Sequence, residues 1–112
     1  EIGNESYNTP WNRPVVHTID MPVLGAKEQI ERFCEAIAMD TVRIKGFSKL
    51  EEEDKFVHVD CVGERVVVRK QLMTEMNIKN WKLIIISKYL VESLIEQYWK
   101  EYIKQPLIME VI

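Results

Sequence analysis

Two pairs of polar side chains have the residue types and the spacing that could do chemistry. His58 and Asp60 alternate with apolar residues over residues 56–62, which predicts a β-strand that places both on one face. Strands use this spacing for metal ligands, and His17 is a third donor for an imagined zinc site. Nothing in the sequence brings His17 beside His58, however, so we favour a surface or cross-strand histidine.

Arg43 and Lys45 form the second pair. They alternate with apolar residues over residues 41–50, which predicts a strand whose basic face could meet a partner or a phosphate. Gly46 interrupts the alternation, and a glycine inside a strand is typical of a β-bulge or of a close approach by another backbone. For the two cations we favour the simpler interpretation, a solvated strand face paired with acidic neighbours.

The other reactive residue types carry no motif. Cys34 and Cys61 form no C-x-x-C pair, and each falls on the apolar side of its predicted helix or strand. We therefore favour two small buried hydrophobes over a redox or metal role. The acidic run over residues 51–54 lacks the spacing of a calcium loop and predicts a solvated turn. No nucleophile motif such as G-x-S-x-G is present, so the sequence indicates no catalytic residue.

Composition limits the classes of function. A chain of 112 residues is long enough for one core and too short for two. The net charge of -3 provides no global basic field for nucleic acid or anionic lipid, so neither partner is expected. The longest apolar run, residues 83–86, is far short of a membrane span. Two cysteines do not make a secreted disulfide framework, and a reducing, cytoplasmic location is expected.

Hydrophobic periodicity predicts an α+β domain over residues 15–112, preceded by a linker or N-terminal arm over residues 1–14. The predicted order is β-α-β-β-β-β-α, with about five mainly antiparallel strands in two layers and both amphipathic helices on one face. Strands are predicted over residues 15–21, 41–50, 56–62, 65–70 and 81–87, and helices over 26–39 and 89–104. The strand over 81–87 is the most apolar and should be central, while the tail over 107–112 should form an edge strand or dock on a neighbour.

The second helix leaves one aromatic residue ambiguous. Tyr98 falls within its apolar stripe and is expected in the core. Trp99 lies at the edge of the stripe, so it is either part of the core or part of an exposed aromatic interface.

One strand carries a family resemblance. The run Val42-Arg43-Ile44-Lys45-Gly46-Phe47 resembles the apolar-Arg-x-Lys-Gly-aromatic strand of the C-terminal domain of CobW-type metal-handling GTPases. The helix before this strand, and the strand over residues 82–87 with the helical segment after it, are similar to that domain too. The resemblance covers roughly residues 15–103.

The resemblance implies an accessory domain. Members of the family are thought to deliver zinc or cobalt by using GTP hydrolysis in an N-terminal P-loop domain. Neither the G-x-x-x-x-G-K-[S/T] loop nor the Cys-x-Cys-Cys motif occurs here, so GTP with Mg²⁺, and zinc or cobalt, are implied only for a missing N-terminal domain. The implied partners are that P-loop GTPase domain or a client protein, and a first residue other than methionine hints at a longer chain. The interface candidates are Arg43, Lys45, Phe47 and Trp99.

Two alternatives stay open at the level of sequence. The chain could be a stand-alone small-ligand-binding or enzymatic α+β domain, in which a cleft is lined by four residues: Arg43, Lys45, His58 and Asp60. Free sheet edges and the apolar tail also leave a homo-oligomer open.

Overall fold

One antiparallel sheet of six strands organises the chain. The computed structural model describes residues 13–112, so the predicted arm lies outside the described residues except for Arg13 and Pro14. The elements in chain order are β1 (Val15–Asp20), α1 (Lys27–Ile37), β2 (Arg43–Lys49), β3 (Lys55–Val62), β4 (Val68–Leu72), β5 (Lys82–Ser87), α2 (Glu92–Tyr98) and β6 (Met109–Val111). The α+β class and the order of elements are as predicted, with β6 as a sixth strand.

The strands lie in the order β4-β3-β2-β5-β1-β6, and every neighbouring pair is antiparallel. The very apolar β5 is central, as predicted, because a strand buried in the middle of a sheet tolerates apolar residues on both of its faces. A two-residue turn at Gly63 and Glu64 joins β3 to β4, and Val62 and Arg65 exchange both backbone hydrogen bonds across it at 3.0 Å.

The core lies between one face of the sheet and the two helices. Alternate strand residues such as Ile44, Val59 and Ile85 are fully buried there. The stripe of α1 and the second helical segment cover them with fully buried side chains, which include Ile30, Phe33, Ile37 and Ile95. Both described helices pack on this one face, and no helix of residues 13–112 lies over the other face of the sheet.

Gly46 does not form a bulge, so that part of its prediction is wrong. The pairing of β2 with β3 runs without interruption from Arg43 opposite Val62 to Lys49 opposite Phe56. The alternative, a close backbone approach, is confirmed: a Cβ at Gly46 would lie 2.0 Å from the Lys82 carbonyl oxygen. The residue also has a φ of 153°, which side-chain-bearing residues rarely adopt.

The helix boundaries differ from the prediction at both helices. Helix α1 begins one residue later than predicted, and Ala26 rather than Gly25 is its N-cap. The side-chain oxygen of Gln29 accepts hydrogen bonds from both of their backbone N–H groups, at 3.2 and 2.9 Å respectively. The residues after Ile37 form a 3₁₀ turn, Ala38–Asp40.

Helix α2 begins three residues later than predicted because Tyr89 is held in the preceding loop. Its hydroxyl donates to Asp40 at 2.7 Å, and its carbonyl accepts from the Ser87 hydroxyl at 2.6 Å. The helix then widens into a π-helical turn, Trp99–Ile103, which ends at Lys104 in a left-handed conformation. The helical segment therefore ends at Ile103, before the chain reaches Pro106.

The C-terminal tail forms the edge strand that was one of its two predicted fates. Strand β6 pairs with β1, where Val111 lies opposite His17 and Met109 lies opposite Ile19. The Ile112 N–H donates to the Val16 carbonyl at 2.8 Å. Within residues 13–112, none of the helices has the length and apolar character needed to cross a membrane.

Candidate interaction face of the sheet

We call the sheet face opposite the helices the open face. Strand register defines it, since directly paired residues point to the same side of a sheet. Arg43 lies opposite Val62 on one side and Ile86 on the other, and Lys45 lies opposite Asp60 and Ile84. On β1 the same side is occupied by Val16 and by the residues at every second position after it: Thr18 and Asp20.

The open face exposes apolar side chains at positions where a solvated sheet face usually has polar ones. Val62 is 58% exposed. Val16 on β1 and Ile84 and Ile86 on β5 are half-buried, although these two neighbouring strands lie in the interior of the sheet. Uncovered apolar side chains on adjacent strands are typical of a surface that another molecule covers.

A cluster of aromatic rings lies on the same face. Phe47 on β2 stacks on His58 of β3, with ring centroids 4.8 Å apart and planes 18° apart. Phe56 is fully buried although no helix among the described residues covers it. The rings of Phe47 and Trp81 lie against it at centroid distances of 6.0 and 6.1 Å. The cluster holds the side chain of Phe47 in place at the surface.

Positive charge exceeds negative charge on the open face. Arg43 donates to Asp60 at 2.8 Å, and this hydrogen bond holds the pKa of Asp60 below its usual range. Lys82 forms an ion pair with Asp20. Three further cations on this face form no ion pair with a described carboxylate, which leaves an excess of cations: Lys45, Lys49 and Arg69.

A groove of about 450 Å³ runs across β2 and β5 on the open face. Phe47 and Ile84 provide apolar walls, and the two lysines Lys45 and Lys82 stand at its rim. The remaining lining residues are Gly46, His58 and Asn80. We refer to this feature as the groove.

The structure brings together three of the four interface candidates. Arg43, Lys45 and Phe47 occupy alternate positions of β2 and all lie on the open face. Trp99 does not join them. It is only 2% exposed, its ring meets Phe33 edge-on at 5.6 Å, and its indole N–H donates to the Gln105 carbonyl at 2.6 Å. Trp99 therefore takes the core alternative, and its indole is not available to a partner.

The four residues proposed to line an enzymatic cleft do not line one cavity. Each pair shares a face, as its spacing predicted, and the register of β2 with β3 brings His58 and Asp60 to the same open face as Arg43 and Lys45. The groove, however, is lined by Lys45 and His58 and excludes the ion pair of Arg43 and Asp60. Asp60 is also held ionised by that arginine, whereas a general acid or base needs a pKa near the working pH.

His17 lies on the helix side of the sheet, opposite in direction to His58. The imagined zinc site is therefore not assembled, and residues 13–112 contain no cluster of three or more metal-ligating side chains. The His17 ring is fully buried, and neither of its nitrogens has a hydrogen-bond partner among the described residues. Burial lowers the pKa of His17, and the backbone of Ile85 and the charge of Glu92 offset only part of this effect.

Cys34 and Cys61 are free and fully buried, as the sequence indicated. They face each other between α1 and β3, and the contact with Cys61, together with burial, raises the pKa of the Cys34 thiol well above its ordinary value. A thiol that stays protonated is a poor nucleophile and a poor metal ligand.

Several residues of the open face were not singled out from the sequence: Arg69, Asn80, Lys82, Ile84 and Ile86. The continuous apolar run of β5 hides the fact that its residues alternate between two faces. The position of Lys82 and Ile84 beside β2 depends on strand order, which no local pattern states.

Comparisons with known proteins identify the fold and no closer relationship. No protein-family model matches the sequence, and no curated protein matches it with significance. Two solved structures match: the Zn(II)-bound YjiA GTPase from E. coli, at a TM-score of 0.56 and 15% identity, and a Zn(II)-bound triple mutant of YjiA, at 0.52 and 16%. YjiA is a CobW-family GTPase. Each match covers 80% of this chain and only 29% of the YjiA chain, so the likeness is to a part of that protein.

Proposed function

We propose that this chain is a non-catalytic accessory and protein-interaction domain of a cytoplasmic, CobW-type metal-handling GTPase. The observation that carries the proposal is the open face, a sheet surface that no helix of residues 13–112 covers, with exposed apolar side chains and an excess of cations. The Arg-x-Lys-Gly-aromatic strand and the partial likeness to YjiA support the choice of family.

The open face has the composition of a surface made for binding. Residues Val16, Ile84, Ile86 and Val62 form an apolar band on three strands, β1, β5 and β3, with Arg43 of β2 between Ile86 and Val62. Burying such a band against a partner gains about 25 cal/mol for each Å² removed from water. The charged residues beside the band provide orientation and specificity rather than most of the affinity. We propose that the partner is the P-loop GTPase domain or its client protein.

In this proposal, GTP hydrolysis and metal binding take place in another domain of the protein and not in this chain. The four glycines of the chain are isolated from one another, so its sequence contains no glycine-rich loop of the kind that wraps phosphates with successive backbone N–H groups. Asp60 is engaged by Arg43, and both thiols are buried. The role left for this chain is to hold or cover another protein surface.

The proposal is tested on the native gene product that contains this chain. The coding sequence upstream of Glu1 is determined first, and a P-loop together with a Cys-x-Cys-Cys motif is expected there. Val62→Asp is then introduced into the whole protein, and GTP hydrolysis and client binding are measured. Because Val62 lies in the apolar band, at least one of the two should change by about threefold or more.

Met39→Asp is the matched control, since Met39 is 80% exposed and lies outside the open face. It should leave both activities unchanged, and thermal unfolding should confirm that both variants are folded. The absence of a P-loop upstream, or equal effects of the two variants, would contradict the proposed function.

A further inference from the structure

We propose that the open face binds an acidic, extended segment of a partner protein and that the groove takes one apolar side chain of that segment. This inference rests on the proposed function, because it names the chemistry of the partner that the open face would bind.

The charge distribution points to an acidic partner. The strands of the open face carry five cations, Arg43, Lys45, Lys49, Arg69 and Lys82, against three carboxylates, Asp20, Asp60 and Glu110. The chain as a whole has a net charge of -3, so this face has the opposite sign to the rest of the molecule. A positive surface on an acidic protein attracts a negatively charged segment more strongly than the acidic remainder of the molecule does.

The arrangement of charge around the groove defines where the segment would lie. Lys45 stands at the rim of the groove on β2 with no carboxylate partner among the described side chains. Arg69 of β4 lies opposite His58 of β3, and it too forms no ion pair with a carboxylate in the described part of the chain. Carboxylates that follow one another along an extended segment would meet these cations in turn.

The groove itself accepts an apolar side chain. Its walls are the ring of Phe47 and the side chain of Ile84, and its volume of about 450 Å³ exceeds that of any single side chain. Phe47 cannot turn away, because it is packed between His58 and Phe56. A fixed aromatic wall is a favourable anchor point, since little side-chain entropy is lost when a partner binds to it.

The same observations disfavour a nucleic acid. Asp60 stays ionised in the middle of the face, and Asp20 and Glu110 place two more carboxylates on it, where they would repel phosphates. One face of the Phe47 ring is already occupied by His58, which leaves little aromatic surface for stacking bases.

The test measures binding of fluorescent peptides to the full chain by anisotropy. The first peptide is an extended segment of about twelve residues with one tryptophan among aspartates and glutamates, a length that spans the sheet. The second has serine in place of tryptophan, and the third has lysine in place of every acidic residue. A single-stranded RNA oligonucleotide of similar length is the fourth probe. Each is tested on the wild type and on the variants Lys45→Glu and Lys100→Glu.

The two variants make the same change of charge, but Lys100 is exposed in the π-helical turn on the other layer of the domain. The acidic tryptophan peptide should bind the wild type, and the serine peptide should bind about tenfold more weakly. Lys45→Glu should weaken binding of the first peptide by about tenfold or more, and Lys100→Glu by less than about twofold. Both positions are exposed, so both variants should fold.

Three results would overturn the inference: no binding of the acidic peptide, equal binding of the lysine peptide, or equal loss in both variants. Tighter binding of the RNA that is lost in Lys45→Glu would also overturn it. None of these results touches the proposed function, which depends on the upstream sequence and on the effect of Val62→Asp in the native protein. The two can therefore fail separately.

Discussion

His17 is the clearest departure from ordinary packing at the scale of single residues. In a fully buried imidazole with no hydrogen-bond partner among the described residues the neutral form is favoured, because protonation would place a charge in the core. Burial lowers its pKa for this reason. Only the packing of β1 between β5 and β6 shows that both nitrogens are enclosed.

His17 should make the fold sensitive to mild acid. In the unfolded chain a histidine gains its proton near pH 6.5, whereas the folded His17, with its lowered pKa, resists protonation. The unfolded state therefore binds more protons, and the free energy of unfolding should decrease as the pH falls from about 7 to 5. Urea unfolding at a series of pH values should show this decrease in the wild type and a smaller one in His17→Leu.

His58→Gln is the control for that series, because it removes the other histidine of the chain, which lies on the open face, and leaves the buried His17 in place. Asp60, whose pKa is lowered by Arg43, loses its stabilising ion pair only at more acidic pH, below about 4. An identical pH profile for His17→Leu and the wild type would contradict the expected role of His17.

Gly46 and Gly63 need glycine for different reasons: a close contact leaves no room for a side chain at Gly46, whereas at Gly63 only the backbone conformation disfavours one. Gly46→Ala should destabilise the protein by about 3 kcal/mol or more, since its Cβ would lie 2.0 Å from the Lys82 carbonyl in a backbone conformation that disfavours side chains. Gly63→Ala, where φ is 56° and no atom lies within 4 Å, should cost only about 1 kcal/mol. Chemical denaturation measures both values, and equal costs would refute the close-approach explanation.

At the scale of elements, β6 forms one edge of the sheet. The apolar tail predicted either an edge strand or docking on a neighbour, and pairing with β1 decides between them. Hydrogen-bonded positions alternate along an antiparallel ladder. The reciprocal bonds of Ile112 with Val16 indicate that the Glu110 N–H points toward Thr18, while that of Val111 points outward.

This alternation makes a matched pair of proline variants. Glu110→Pro removes a ladder donor and should destabilise the protein by about 1–3 kcal/mol, because the Thr18 carbonyl is then left without its partner. Val111→Pro removes an N–H that faces away from β1 and should cost less. Thermal unfolding compares the two, and a larger loss in Val111→Pro would show that the register of β6 differs from the one described.

At the scale of the whole molecule, charge is divided between the two layers. The helical layer consists of α1, α2 and the π-helical turn, and these three segments together carry six glutamates and three cations. On the open face, by contrast, cations outnumber carboxylates. Net charge alone conceals this division. The two faces of the domain therefore offer different surfaces to other molecules, and only the open face combines positive charge with exposed apolar residues.

The whole chain should bind neither GTP with Mg²⁺ nor Zn²⁺ at a one-to-one ratio. It has no phosphate-binding loop in its sequence and no three-ligand metal cluster in residues 13–112. Isothermal titration calorimetry of the purified chain is expected to show no saturable heat with either ligand. Stoichiometric zinc that is lost in Cys34→Ser would contradict this expectation and would assign a metal role to the buried thiols.

The sequence by itself determined the elements and the facing of their residues, because alternation at period 2 and stripes at period 3.6 are local patterns. It predicted the central β5, the shared face of Arg43 and Lys45 on one strand, and the shared face of His58 and Asp60 on another. The tertiary structure decided which strands became neighbours and what each one covered. Strand order placed Lys82 and Ile84 beside Lys45 to form the groove, and helix packing moved Trp99 into the core. These outcomes depend on contacts between residues distant in the chain, which short-range patterns do not encode.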